Sequence, residues 1–87
     1  MKKITIYGSK HWPECEPMKE FLSKNDIKFD YIEITDSMAN LKAFLKYRDN
    51  RSEFDGVRKY GSVGIPVIVI NDGEKIIFEA SDLDELR

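Results

Sequence analysis

Asn71-Asp72-Gly73 stands between two apolar runs, Ile65-Pro66-Val67-Ile68-Val69-Ile70 and Lys75-Ile76-Ile77-Phe78. Asn, Asp and Gly accept the left-handed backbone of a tight hairpin turn, so the two runs must be antiparallel neighbours in a sheet. Residues 65–70 form the most apolar stretch of the chain and read as a buried strand. A proline cannot donate to a sheet ladder, which confines Pro66 to the start of that strand. An X-Pro bond placed there suits a cis turn.

The first half of the chain carries the opposite constraint. Ile4, Ile6 and Tyr7 mark a strand that ends at Gly8-Ser9. Pro13 suits the first position of a helix, where a missing N–H costs nothing. Met18, Phe21 and Leu22 then recur at helical spacing up to Asn25. Pro17 falls in the second turn of a helix begun at Pro13, which predicts a kink or a loose first turn. Residues 27–34 nearly alternate, with Ile27, Phe29, Tyr31, Ile32 and Ile34, and read as a second strand. Thr35-Asp36-Ser37 offers an N-cap to a helix whose expected core stripe is Met38, Leu41, Phe44 and Leu45. A weaker cap at residues 52–55 leads into a segment with Phe54, Val57 and Tyr60 on one face, closed by Gly61 and Gly64. Ser81-Asp82 caps a short last helix carrying Leu83 and Leu86. A βαβ opening needs a parallel pair with a right-handed crossover, whereas the hairpin is antiparallel. The order β-α-β-α-β-β-α is met most economically by an α/β domain, a four-stranded mixed β-sheet flanked by helices.

Composition narrows the function classes. The chain has 87 residues, 41% of them hydrophobic, which suits one layered core over residues 1–87. Its 14 basic and 16 acidic residues leave a formal charge of −2, with no basic excess to hold a phosphate backbone, so no nucleic-acid partner is expected. No apolar run approaches the roughly 20 residues of a membrane span, so no membrane partner is expected either. The opening Met1-Lys2-Lys3-Ile4-Thr5-Ile6-Tyr7 alternates instead of forming a signal-peptide core. A cytoplasmic monomer is the resulting expectation. A single cysteine, Cys15, excludes a disulfide within the chain.

Three features converge in such a fold: the loop Gly8-Ser9-Lys10-His11-Trp12-Pro13-Glu14-Cys15 after the first strand, Ile65-Pro66 opening the third, and the Ser81-Asp82 cap. Here the sequence resembles the glutaredoxin family, of thioredoxin-like fold, over essentially its whole length. Trp12-Pro13-Glu14-Cys15 stands where that family has Cys-Pro-x-Cys, and Gly64-Ile65-Pro66 where it has Thr-Val-Pro. Ser81-Asp82-Leu83 matches the segment that grips the γ-glutamyl end of glutathione. The resemblance implies a thiol–disulfide oxidoreductase of cell redox homeostasis and electron transport. It implies glutathione as co-substrate, no tightly bound cofactor, and protein or small-molecule disulfides as further partners. Residue 12 is then the nucleophile position and Cys15 the resolving position. Lys10 would hold a glutathione carboxylate, the Ile65 backbone beside Pro66 would pair with the bound peptide, and Ser81 and Asp82 would receive the γ-glutamyl group.

One departure decides the chemistry. The family's nucleophile is a thiol whose pKa is lowered by a helix N-terminus, and Trp12 has no nucleophilic atom. Three explanations compete. One is a single-base change from Cys; another is a non-catalytic member that uses the indole as a binding surface. The third is a selenocysteine codon, UGA, read as Trp. Two lesser departures concern glutathione: Ser9 stands where the family has its lysine, with Lys10 one place later, and the family's Gly-Gly is replaced by Ile77-Phe78 or Glu79-Ala80. Residues 37–60 also hold more helical sequence than a minimal glutaredoxin.

Plainer readings stand beside these. Cys15 is a candidate small buried hydrophobe facing inward. His11 and Cys15 are four apart, but Pro13 disrupts the spacing and no further soft ligand exists, so no metal is expected. Lys10 reads equally as a solvated loop charge. Arg48, Arg51, Arg58 and Lys59 interleave with Asp49, Glu53 and Asp55, which reads as a solvated helix face.

Overall fold

The computed structural model describes residues 2–79 and Leu86. Four strands, β1 (Ile4–Gly8), β2 (Asp30–Glu33), β3 (Val67–Ile70) and β4 (Lys75–Ile77), form one mixed sheet in the order β2-β1-β3-β4. β1 runs parallel to β2, with Gly8 opposite Glu33, and antiparallel to β3, with Tyr7 opposite Val67. The hairpin pairs β3 with β4 in antiparallel register, Ile70 opposite Lys75. Asn71 and Asp72 adopt positive φ (50° and 57°) in its turn, the backbone that their side chains tolerate best after glycine.

The helices are α1 (Cys15–Lys24), α2 (Met38–Arg48) and the short α3 (Asp55–Lys59), which follows a 3-10 turn at Ser52–Phe54. All five β1 residues and all four of β3 are buried, as central strands must be when both sheet faces are covered. Strand alternation sorts their side chains into two cores. On one face Ile4, Ile6, Ile68 and Ile70 pack with Met18 and Leu22 of α1, Ile27 and Leu86. On the other, Tyr7, Val67 and Val69 pack with Phe44 of α2, Phe54, Ile65 and Cys15. The expected four-stranded mixed sheet with flanking helices is therefore what forms.

Several local expectations are corrected. α1 opens at Cys15, not at Pro13, which lies in the turns before it. Pro17 then falls in the first helical turn, where an N–H would have no intrahelical acceptor and its absence costs nothing, so no kink is required. β2 is shorter than residues 27–34; Ile27 is buried outside it. Ser37 does cap α2, its hydroxyl accepting the Asn40 N–H at 3.0 Å. The stripe behind it is only partly core: Phe44 is buried, Leu41 and Leu45 pack against the core, and Met38 is 70% exposed. Met38 is the first residue of α2 and has no place in either core cluster. Tyr60 is likewise 80% exposed, because α3 ends at Lys59 and the chain turns away at Gly61 (φ 69°).

The expected solvated face holds in part: Lys59, Asp49, Glu53 and Asp55 are exposed, but the three arginines are half-buried and bonded to backbone. Arg48 donates to the Val63 and Ser62 carbonyls at 2.9 and 2.6 Å. Arg51 donates to the Gly73 carbonyl at 2.7 Å and pairs with Glu53. Arg58 donates to the Arg48 and Arg51 carbonyls and pairs with Asp55. Each guanidinium supplies several fixed donors, so these side chains satisfy carbonyls that the irregular segment after α2 leaves open. Of the expected last helix, the Ser81-Asp82 cap and Leu83 lie outside the described residues; Leu86 is helical and buried.

Candidate functional site

β1 and β2 are parallel, and the loop to α1 leaves from their carboxyl ends, where α/β sheets present ligand sites. The loop folds as consecutive turns: Trp12 N–H donates to the Ser9 carbonyl (3.0 Å) and Cys15 N–H to the Trp12 carbonyl (3.2 Å). Trp12 is 38% exposed at this corner and Lys10 is exposed beside it.

Cys15 faces inward, as expected from the sequence, and is 1% exposed. Its Sγ accepts the Ser9 N–H at 3.4 Å. Burial pushes the Cys15 thiol above its ordinary range; the Ser9 amide opposes this, and Glu33 and Glu14 add to it. A Cβ built on Gly8 would lie 2.9 Å from that sulfur and 3.2 Å from the Tyr31 ring. Glycine at position 8 is what admits the cysteine.

Glu33, the last residue of β2, was not singled out from the sequence. Its Oε1 accepts the Lys10 N–H at 2.6 Å and the Tyr31 hydroxyl at 3.1 Å; Oε2 accepts the Thr35 hydroxyl at 2.6 Å. Desolvation would raise its pKa, but hydrogen bonds from Thr35, Lys10, Ser9 and Tyr31 outweigh this and hold the carboxyl at about 2. Such a charge-assisted acceptor is stronger than a neutral one. The signal was present in Tyr31, Glu33 and Thr35, whose period-2 spacing puts three polar side chains on one face.

Ile65–Pro66 is cis, and it does meet the start of α1. Pro66 lines an open groove of about 520 Å³ with Glu14, Pro17, Met18, Phe21, Phe78 and Glu79. Ile65 is 7% exposed, and no described residue hydrogen-bonds its backbone. Gly64 enters this corner at φ 97°, with Phe54 3.0 Å from where its Cβ would be. Trp12 does not line the groove, and Ser81 and Asp82 lie outside the described residues. The structure thus brings Pro66 to the loop-helix corner that holds Cys15 and leaves the expected γ-glutamyl site undescribed. Among the described residues no three His, Cys, Asp or Glu side chains cluster as metal ligands, and no helix is long and apolar enough to cross a membrane.

Comparison with known proteins agrees with this geometry. An uncharacterized protein of Haemophilus influenzae (strain Rd) is 30% identical over all 87 residues, which correspond to 96% of its own length. The crystal structure of the glutaredoxin from Methanosarcina mazei Go1 superposes with a TM-score of 0.66 at 23% identity, covering 95% of this chain and 75% of that one. A mutant of a thioredoxin-like protein superposes with a TM-score of 0.60 at 27% identity, covering 99% of this chain and 95% of its own. Residues 4–76 match the Glutaredoxin family profile. With the sheet, the cis-proline and the loop-helix corner in the arrangement already described, this match over most of the chain makes it a member of the glutaredoxin family, with the thioredoxin-like fold and the thiol–disulfide oxidoreductase-like character of that family.

Proposed function

We propose that the groove beside Pro66 is a glutathione-dependent thiol–disulfide exchange site whose working position is residue 12, and that the form carrying Trp12 is silent in exchange. The observation that carries this reading is the burial of Cys15. A thiol that is 1% exposed and pushed toward its neutral form is a poor nucleophile, so it does not replace the missing group at position 12. With Cys or selenocysteine at position 12, its thiolate or selenolate attacks the glutathione sulfur of a mixed disulfide. That S–S bond breaks, the substrate leaves as a thiolate that takes up a proton, and residue 12 is left joined to glutathione. A second glutathione thiolate then displaces residue 12, giving glutathione disulfide. This monothiol route suits a buried Cys15 better than resolution by Cys15 itself. Lys10, the Ile65 backbone, to which no described residue hydrogen-bonds, and Ser81 with Asp82 would hold the peptide, as the family resemblance implies.

The test is Trp12→Cys. Incubation with glutathione disulfide should yield a single mixed disulfide on residue 12 by intact-mass analysis, and the variant should gain glutathione-dependent disulfide reduction. A folded variant that forms no mixed disulfide would refute the reading. Tandem mass spectrometry of the protein from its natural host identifies residue 12 directly.

A second reading is favoured by the apolar side chains of Pro17, Met18, Phe21 and Phe78 along the groove: a non-catalytic module that holds a thiol compound or a peptide. Trp12 is the sole tryptophan and lies two residues before Glu14 of the groove lining, so any change in its emission is assigned to that corner, and calorimetry beside it registers binding that does not reach the indole. Titration with reduced glutathione to millimolar concentration separates the ligands. A flat response alongside a response to a thiol peptide assigns the groove to peptides.

A further inference from the structure

We propose that Glu33 is a positioning residue for position 12: its carboxylate holds the segment from Ser9 to Trp12 in one conformation and so decides where the residue-12 side chain stands. The inference rests on reading position 12 as the working position of the site.

The connections are continuous. Glu33 lies opposite Gly8 in the parallel ladder, and Ile34 N–H extends the pairing to the Gly8 carbonyl at 3.0 Å. The carboxylate therefore stands beside the point where the loop departs. It takes the Lys10 N–H directly at 2.6 Å. The Ser9 hydroxyl accepts the His11 N–H at 3.1 Å, and the Ser9 carbonyl accepts the Trp12 N–H at 3.0 Å. Tyr31 and Thr35 orient the carboxylate from either side, and the Asn40 side chain of α2 donates to the Glu33 carbonyl at 3.0 Å. A short loop bearing backbone donors is thus gathered on one anion that β2 and α2 hold in place. Loops without such an acceptor fray, because exposed backbone bonds alone do not hold one conformation. Alanine removes both acceptor oxygens, whereas glutamine could keep its oxygen on the Lys10 N–H and turn its amide toward the Thr35 hydroxyl, which also accepts.

The experiment uses the full chain and the emission of Trp12, which needs no ligand and no catalytic activity. Glu33→Ala should keep its far-UV circular dichroism. Its acrylamide quenching constant should rise by up to about twofold, the gain open to an indole that is 38% exposed when its loop is released. Thr35→Ala, which removes a bond to the carboxylate but none to the loop, should lower the melting temperature and leave quenching unchanged. Unchanged quenching in a folded Glu33→Ala chain overturns the proposal and leaves Glu33 a purely structural residue. If Glu33→Ala does not fold, hydrogen exchange at the Lys10 amide of the native chain decides: protection supports the proposal, and exchange at the rate of a free loop amide overturns it. Failure of the exchange reading is separate: it shows as no mixed disulfide in Trp12→Cys, whatever the quenching result.

Discussion

Two connecting stretches of this chain, residues 9–14 before α1 and residues 49–64 around the short α3, solve the same problem with opposite charges. Both carry backbone polar groups that no helix or strand satisfies. In the first, one carboxylate, Glu33, collects N–H and O–H donors. In the second, three arginines collect carbonyls. The choice follows from which groups are exposed: a segment entering a helix leaves donors open, and one leaving a helix leaves acceptors open. The functional consequence differs as well. Arginines that bridge α2, α3 and the hairpin turn stabilise a framework, whereas a single anion under a short loop fixes one exposed corner and leaves its side chains available.

The largest effect should come from the framework. Phe54 is fully buried and packs edge-on against Phe44 and Phe78, with ring centroids 6.1 and 5.0 Å away. Phe54→Ala should cost about 3–5 kcal/mol in urea unfolding by removing buried area and leaving a cavity. Next, Arg51→Met should cost about 1–3 kcal/mol, since it strands the Gly73 carbonyl and unpairs Glu53. Trp12 emission should not change in that variant. A shift there would show that the two stretches are coupled.

At the other corner, Gly8→Ala sets a methyl group 2.9 Å from Cys15 Sγ and should destabilise by about 1–3 kcal/mol through overpacking. Adding Cys15→Ala should recover part of that loss, because the two positions compete for one volume. The smallest effect is in pH dependence. Glu33 titrates at about 2 when folded against a reference of 4.5. Its contribution is therefore fully present above about 4.5 and is lost as pH falls toward about 2. The stability gap between the native chain and Glu33→Gln should accordingly narrow from pH 6 to pH 2, measured by urea unfolding. An unchanged gap would separate the carboxylate from its hydrogen bonds. In the native chain Cys15 should also resist iodoacetamide at neutral pH, which the mass of the treated protein records.

Local chemistry determined a good part of this protein. The Asn71-Asp72-Gly73 turn, the Ser37 cap, the place of Pro66 and the parallel opening pair each follow from backbone preference or alternation over a few residues, and each is where the sequence puts it. That position 12 carries Trp, where the family resemblance would put Cys, is likewise visible in the residues alone. What only tertiary structure decided are the long-range matters. Met38 and Tyr60 fit a helical stripe, yet whether an end residue is covered depends on what packs over it. The arginines look like surface charge until the chain returns to offer carbonyls 10 to 22 residues away. Glu33 becomes a hub because parallel pairing sets it beside Gly8, and that pairing joins residues 25 positions apart. Periodicity reports which face a side chain takes; only the closed fold reports what stands opposite it.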